Sequence, residues 1–282
     1  MTSCSNSTDR NKDTISSVGN SAQFWPNQFS TVEENQIITI ENTEDGIYWF
    51  CLYDEDQLLK ESIMQDDYEG CFFDAEFEYL YSYNRNKHQL EMLSKEFDLV
   101  DILISDLDLY EIKNIVRKDH KLYLLAVKSN PYETYPIYEN DDNGYINFGE
   151  QLYEIDLESR LIKEITIDNP ICIAFDEDNL QIYTYQQGTY ELHYFDTKSE
   201  QTVFVSSMDE MGYLFSFACL EDWIFYSGRN YPGLWKRNIV TGENSCVNES
   251  ALLIKGADLR VYSHRLYMLD HLTGKVLQYC VE

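Results

Sequence analysis

Basic residues are scarce in this chain of 282: 21 Lys plus Arg stand against 50 Asp plus Glu, a formal net charge of −29. Such an imbalance repels phosphate backbones and anionic lipid, so it argues against nucleic-acid binding and a polybasic membrane footprint. Glycine and proline are also few, 12 and 5, which excludes a collagen-like repeat or a Pro-rich linker. No apolar run reaches the ~18 residues that a membrane-spanning helix needs. Catalytic signatures are missing as well. There is no Gly-x-Ser-x-Gly elbow, no Gly-rich phosphate loop and no His-Glu-x-x-His. Without Cys-x-x-Cys, structural zinc and thioredoxin-type chemistry have no support.

What the chain has in abundance is aromatic: 23 Tyr, 14 Phe and 4 Trp, far too many for a disordered acidic tail. The first residues differ from the rest. Residues 1–22 read as a disordered polar tether, because the run Ser5-Asn6-Ser7-Thr8-Asp9 has no apolar area to bury. The small residue before Cys4 and the polar stretch after it resemble the mature start of a bacterial lipoprotein, which makes Cys4 a candidate lipidation site. An incidental Cys in an ordinary terminus is the plainer alternative. No basic start followed by an apolar stretch marks a secretory signal.

From Gln23 onward the pattern is strand after strand, with Asp, Asn, Gly and Ser at the turns and no sustained helical period. A dipeptide of Ile or Leu followed by an aromatic recurs at Ile47-Tyr48, Leu80-Tyr81, Leu122-Tyr123, Ile182-Tyr183, Ile224-Phe225 and Leu266-Tyr267, with gaps of 33, 42, 60, 42 and 42. A second apolar strand is entered at Leu58, Leu90, Leu152, Leu192, Leu234 and Leu277, at offsets of 11, 10, 30, 10, 10 and 11. The long offset and the long gap coincide, so one regular unit is interrupted once, inside a single loop. A repeat of ~40 residues with about four short strands defines a β-propeller blade. The expected fold is therefore all-β, a propeller of six blades with five or seven as the alternatives. The ring would be closed by an N-terminal strand, from Phe24–Val32 or Gln36–Ile40. Residues 23–282 form the single domain, with an insertion at about 130–150 in blade three. Asp156, Asp196 and Asn238 fall at one point of three successive units, where each side chain is expected to bond its own backbone two residues on and close an outer hairpin. A β-sandwich is the rival, but it has no reason to repeat at 42.

The run Gly46-Ile47-Tyr48-Trp49-Phe50, with the repeated Ile/Leu-Tyr strands, resembles six-bladed propellers of low-density-lipoprotein-receptor type. Relatives of this YWTD-like class occur in bacterial surface lipoproteins. The likeness spans about residues 35 to 282, and the Tyr-Trp-Thr-Asp signature itself is intact in no blade. The resemblance implies a non-enzymatic binding platform and transfers no ligand-contacting residue.

The interruption carries the sharpest chemical pattern. Laid over an EF-hand calcium loop, residues 139–150 put Glu139, Asp141 and Asn143 at positions one, three and five, Gly144 at six and Glu150 at twelve, with Tyr145 offering its carbonyl. Oxygen ligands at alternate positions converge on one hard cation, and a terminal carboxylate closes the shell. The other reading is a β-hairpin, Tyr135–Tyr138 against Tyr145–Phe148, turning on Asn143-Gly144. By the usual strand order of propeller blades this loop lies on the ligand-carrying face. Tyr132, Tyr135, Tyr138 and Tyr145 would project there as flat apolar contacts.

Besides Cys4 there are Cys51, Cys71, Cys172, Cys219, Cys246 and Cys280. Most lie in apolar strands, where Cys behaves as a small buried hydrophobe. Cys71 and Cys172 hold matching places in non-adjacent blades, too far apart to bond. The five histidines, His88, His120, His193, His264 and His271, are scattered and read as surface or half-buried side chains. The reading that follows is a non-catalytic, extracytoplasmic binding module for a protein, peptide or glycan. It would be monomeric, hold calcium as its one candidate cofactor, and meet a membrane only through Cys4. The alternatives are a propeller-fold carbohydrate enzyme (glycoside hydrolase or lyase) and a structural spacer.

Overall fold

A computed structural model describes residues 16–18, 25–33, 36–42, 48–54, 57–64, 66–74, 76–128, 150–176, 179–186, 188–254 and 258–280. Its 24 strands form six four-stranded antiparallel sheets, and no helix occurs among the described residues. The protein is a six-bladed β-propeller. Blade one holds β2 (Trp25–Glu33), β3 (Gln36–Asn42), β4 (Tyr48–Asp54) and β5 (Gln57–Met64). Blade two holds β6 (Tyr68–Asp74), β7 (Tyr79–Asn84), β8 (Gln89–Ser94) and β9 (Leu99–Ile104). Blade three holds β10 (Glu111–Lys118), β11 (Lys121–Val127), β12 (Glu150–Asp156) and β13 (Ile162–Ile165). In blade four are β14 (Pro170–Asp176), β15 (Asn179–Gln186), β16 (Thr189–Asp196) and β17 (Gln201–Ser207). In blade five are β18 (Leu214–Leu220), β19 (Trp223–Gly228), β20 (Leu234–Asn238) and β21 (Asn244–Asn248). Blade six has β22 (Leu259–Tyr262), β23 (Arg265–Asp270) and β24 (Lys275–Cys280), and β1 (Ser16–Val18) completes it by pairing antiparallel with β24, Ser17 opposite Leu277.

The closing strand is thus N-terminal, but it is neither Phe24–Val32 nor Gln36–Ile40. Those residues supply the first two strands of blade one, and the closure falls to Ser16–Val18, inside the segment read as a tether. A short Ser-Ser-Val stretch gives almost no sequence signal, because ladder hydrogen bonds are made by backbone and need no particular side chain.

The recurring dipeptides mark second strands in five blades. In blade one the pattern misleads: Tyr48 opens β4, a third strand, and the second-strand place belongs to Ile37-Ile38. From Ile37 to Leu80 is 43 positions, so the unit of about 42 holds from the start and the gap of 33 is a slip by one strand. For the same reason Leu58 lies on the outermost strand, whereas Leu90, Leu152, Leu192, Leu234 and Leu277 lie on third strands.

The core is divided among the blade interfaces. Tyr81 and Leu90 pack against Ile112 and Leu122 between blades two and three. Tyr123 and Leu152 meet Ile173 and Leu180 between three and four. Tyr183 and Leu192 meet Phe217 and Ile224 between four and five. Phe225 and Leu234 meet Leu266 and Met268 between five and six. Leu269 and Tyr267 meet Phe29 and Ile37 at the closure, and Phe50 and Leu52 meet Tyr68 and Leu80 between one and two. Aromatics suit these layers because one flat ring spans the gap between two twisted sheets while its edge still reaches a polar partner. Gly70 shows how tight the fit is: its φ is +71°, and a Cβ there would lie 2.7 Å from both Ile112 and Ile115 of the next blade.

The outer turns follow the expected chemistry. Asp156 Oδ1 accepts from the Glu158 and Ser159 amides at 3.1 and 2.7 Å, Asp196 Oδ1 from Lys198 N at 2.9 Å, and Asn238 Oδ1 from Val240 N at 3.0 Å. The cysteines described in full, Cys51, Cys71, Cys172, Cys219 and Cys246, are unbonded to one another, and all but Cys246 are buried.

Candidate functional site at the channel mouth

In blades two and four the turn between second and third strands bonds to the connection that leaves for the next blade, and in blade six it bonds to the connection that arrives from blade five, so these segments share one face. Leu107 N donates to His88 O at 2.8 Å, Met208 N to Tyr190 O at 2.7 Å, and His271 N to Leu252 O at 2.9 Å. The insertion of blade three belongs to this face. Its chain leaves at Val127 and returns at Glu150, which stand opposite each other in the β11–β12 ladder, so the barrel of blades is undisturbed by what lies between. Tyr132, Tyr135, Tyr138, Glu139, Asp141, Asn143 and Tyr145 lie outside the described residues, as does Cys4. Glu150 is described: it is 6% exposed at the root of the insertion. Its carboxylate is close enough to Cys172 and Tyr213 to help raise both their pKa values above the usual range, after burial itself. Among the described residues no group of three or more His, Cys, Asp or Glu is placed to hold a metal.

Around the channel mouth the inner strands carry charge. Glu69 of β6 binds Arg85 at 3.1 Å and accepts from Ile112 N, on the next inner strand, at 3.2 Å. Arg85 also lies 3.8 Å from Asp67 and stacks 5.0 Å over the Tyr110 ring. Burial pushes the Glu69 carboxyl up to about 7, with Arg85 opposing the rise. Beside it Glu111 and Lys113 of β10 pair at 3.0 Å. On the far side of the mouth, Leu252, Ile254 and Leu272 are exposed aliphatics on the connection and turn of blade six. Below them His271 Nε2 meets Asp258 at 2.9 Å, which also accepts from Ile254 N at 2.7 Å. His271 and His193, the latter beside Glu191 at 2.9 Å, are the two largely buried histidines, while His88, His120 and His264 are exposed or half-exposed.

The axis is filled by side chains. Asn114 of β10 donates to Ile173 O of blade four at 3.0 Å, and its Oδ1 accepts from Arg260 of blade six at 2.6 Å. Arg260 reaches across the ring to donate to Ile115 O at 3.0 Å and Cys71 O at 3.3 Å. Sequence reasoning missed Glu69, Asn114 and Arg260. The one signal was a charged or amide residue amid an apolar first strand, as in Leu259-Arg260-Val261 and Lys113-Asn114-Ile115. In a half-buried strand such a residue reads as solvent-facing.

No family model matches the chain, and no curated protein matches it. Solved structures do. A protein in a nidogen–laminin complex aligns with a TM-score of 0.56 at 11% identity, over 90% of this chain and 87% of that one. A gluconolactonase from Xanthomonas campestris aligns at 0.56 and 12% identity, over 95% of this chain and 89% of that one. TolB from Acinetobacter baumannii aligns at 0.56 and 11% identity, over 88% of this chain and 64% of that one. Likeness at this identity speaks for the propeller fold and for nothing finer.

Proposed function

We propose that this propeller is a non-catalytic module that binds a protein or peptide on its connection face. The observation that carries the reading is the composition of that face. Asp67, Glu69 and Glu111 stand at blades two and three with Arg85 and Lys113 paired to them, Glu150 is buried at the root of the insertion, exposed aliphatics Leu252, Ile254 and Leu272 stand at blade six, and Arg260 with Asn114 closes the axis between them. An exposed aliphatic patch on a chain of net charge −29 suits a basic segment carrying an aliphatic anchor. The name of the nidogen–laminin complex describes one such scaffold in a protein assembly.

Finer points of the reading belong to the same proposal: kinship with the low-density-lipoprotein-receptor class, tyrosines 132, 135, 138 and 145 as contacts, calcium in the 139–150 loop, glycans as the other ligand class, and an extracytoplasmic place anchored through Cys4. The test sets the purified protein on peptide and glycan arrays, with glycan and sugar-lactone hydrolysis assays beside them. Salt-sensitive retention of basic peptides, lost in Leu272→Asp, is the expected result. Turnover of a glycan or lactone without such retention would overturn it in favour of the carbohydrate enzyme.

A further inference from the structure

Six outer strands form the rim of the ring, and five of them are guarded against a further strand by charge, burial or shortness. β5 carries Lys60 and Glu61 in mid-strand, β9 carries Asp101, and β13 carries Lys163 and Glu164. β21 is uncharged but half-buried along its length, and β1 has three residues. β17 of blade four is the exception. Its seven residues, Gln201–Ser207, hold no charge, and the run Gln201–Val205 is exposed without a break, with Val203, Phe204 and Val205 as its apolar side chains. The bulge of β17 falls at Val205, where the ladder steps from Leu192 opposite Ser206 to His193 opposite Phe204. Gln201 to Phe204 therefore stay in regular pairing with β16 on one side and offer an extended backbone on the other.

An exposed, uncharged, apolar edge is a template for another strand. We propose that β17 pairs antiparallel with β17 of a second copy of this chain, about a two-fold axis near Phe204, so that the protein forms a weak closed dimer in place of the monomer expected from its sequence. Charge selects the occupant. Two copies of net charge −29 repel each other, so their contact is least opposed where carboxylates are absent or matched. The strand itself has none. Beyond its ends, antiparallel pairing brings the turn that holds Lys198 in each copy toward Asp209 of the other. In that turn Glu200 is already bridged by Lys163 at 2.6 Å, whereas Asp209 accepts from the neutral Tyr190 N and Ser207 Oγ. A basic segment, the ligand read for the connection face, would find no charge on β17 to hold it. A two-fold contact uses the same patch on both copies and stops at two. The bulge at Val205 shortens the template, which keeps the contact weak and reversible. The inference rests on the rim alone and is independent of what binds the connection face.

Analytical ultracentrifugation of the unaltered chain over a rising concentration series tests the pairing. The weight-average mass should climb from the 33.3 kDa of one protomer toward twice that value and stop there. Amide hydrogen exchange on the same samples should slow at residues 201–204 as concentration rises, and should stay constant on β5 and β9. Phe204→Lys sets two like charges at the axis and should hold the mass at one protomer, while Ile63→Lys on β5 should leave the association as it is. A mass that stays at one protomer throughout overturns the proposal. So does growth past two copies, association that survives Phe204→Lys, or association that leaves exchange at residues 201–204 unchanged. If Phe204→Lys fails to fold, the mass and exchange of the unaltered chain decide alone.

Discussion

Every blade has two open edges, and this molecule treats them differently. The inner edges point at the axis and are closed by side chains from the neighbouring blade. Phe73 N donates to Ser30 Oγ at 2.7 Å, Ile112 N to Glu69, and Asn114 donates to Ile173 O, so successive blades are stitched one to the next. The outer edges face solvent and carry exposed apolar residues: Leu59 and Ile63 on β5, Leu99 and Val100 on β9, Val203 and Phe204 on β17. Bulges interrupt the pairing of β5, β9 and β17, and β13, whose pairing is regular, carries Lys163 in a 2.6 Å bridge to Glu200. Bulges and charges keep an edge from templating another strand. The contrast is between an edge that water cannot reach, where each amide needs a named partner, and one that water satisfies.

The largest expected effect comes from turning a closed edge into an open one. Deleting residues 1–21 removes β1 and leaves the outer edge of β24 unpaired, while its ladder with β23 stays, at a cost of about 3 kcal/mol from lost ladder bonds, or roughly 5–10 °C in melting temperature. Deleting 1–15 keeps β1 and should change little. Sequence composition by itself read all of residues 1–22 as a tether, β1 included. Equal melting temperatures for the two truncations would show that the strand contributes nothing to closure.

Next comes the inner-edge carboxylate. The folded pKa of Glu69 is raised from 4.5 to about 7, so the native state holds a proton that the unfolded chain has already lost. Stability must therefore fall as pH rises from about 4.5 to 7, by about 2–3 kcal/mol for this group. Glu69→Gln still offers an oxygen to Ile112 N but cannot ionise. Urea midpoints at pH 5 and pH 8 should lie closer together in the variant than in the parent. The same spacing in both proteins would mean that Glu69 is not the group responsible.

The smallest effect is expected at the outer edge. Phe204 is 54% exposed and meets the edge of the His193 ring, 5.6 Å between centroids. Phe204→Lys should change stability by no more than about 0.5 kcal/mol, as exposed positions do, and should lower any tendency to self-associate. Light scattering at high concentration would check the second point. A large loss of stability would mean that this edge is packed as firmly as the inner ones.

The repeat of apolar second and third strands was legible because core packing repeats with the blade: Leu122-Tyr123 and Leu152 do the same work as Leu266-Tyr267 and Leu277. The turns at Asp156, Asp196 and Asn238 were legible because Asx chemistry is local. Blade one was misassigned at Ile47-Tyr48, since Ile37-Ile38 lacks the aromatic that marks the other second strands. Of the proposed metal and tyrosine contacts, the described part of the chain includes Glu150 alone, buried at the root of its loop.

By itself, then, the sequence determined the all-β class, the blade period and the place of the interruption, because hydrophobic periodicity and turn residues act over a few neighbours. Only the tertiary structure decided that Ser16–Val18 closes the ring, that Glu69 meets the Ile112 amide of the next blade, and that Asn114 and Arg260 meet at the axis. Those partners are up to 146 positions apart, as Arg260 is from Asn114. What joins them is the circular arrangement of six sheets, which no local pattern encodes.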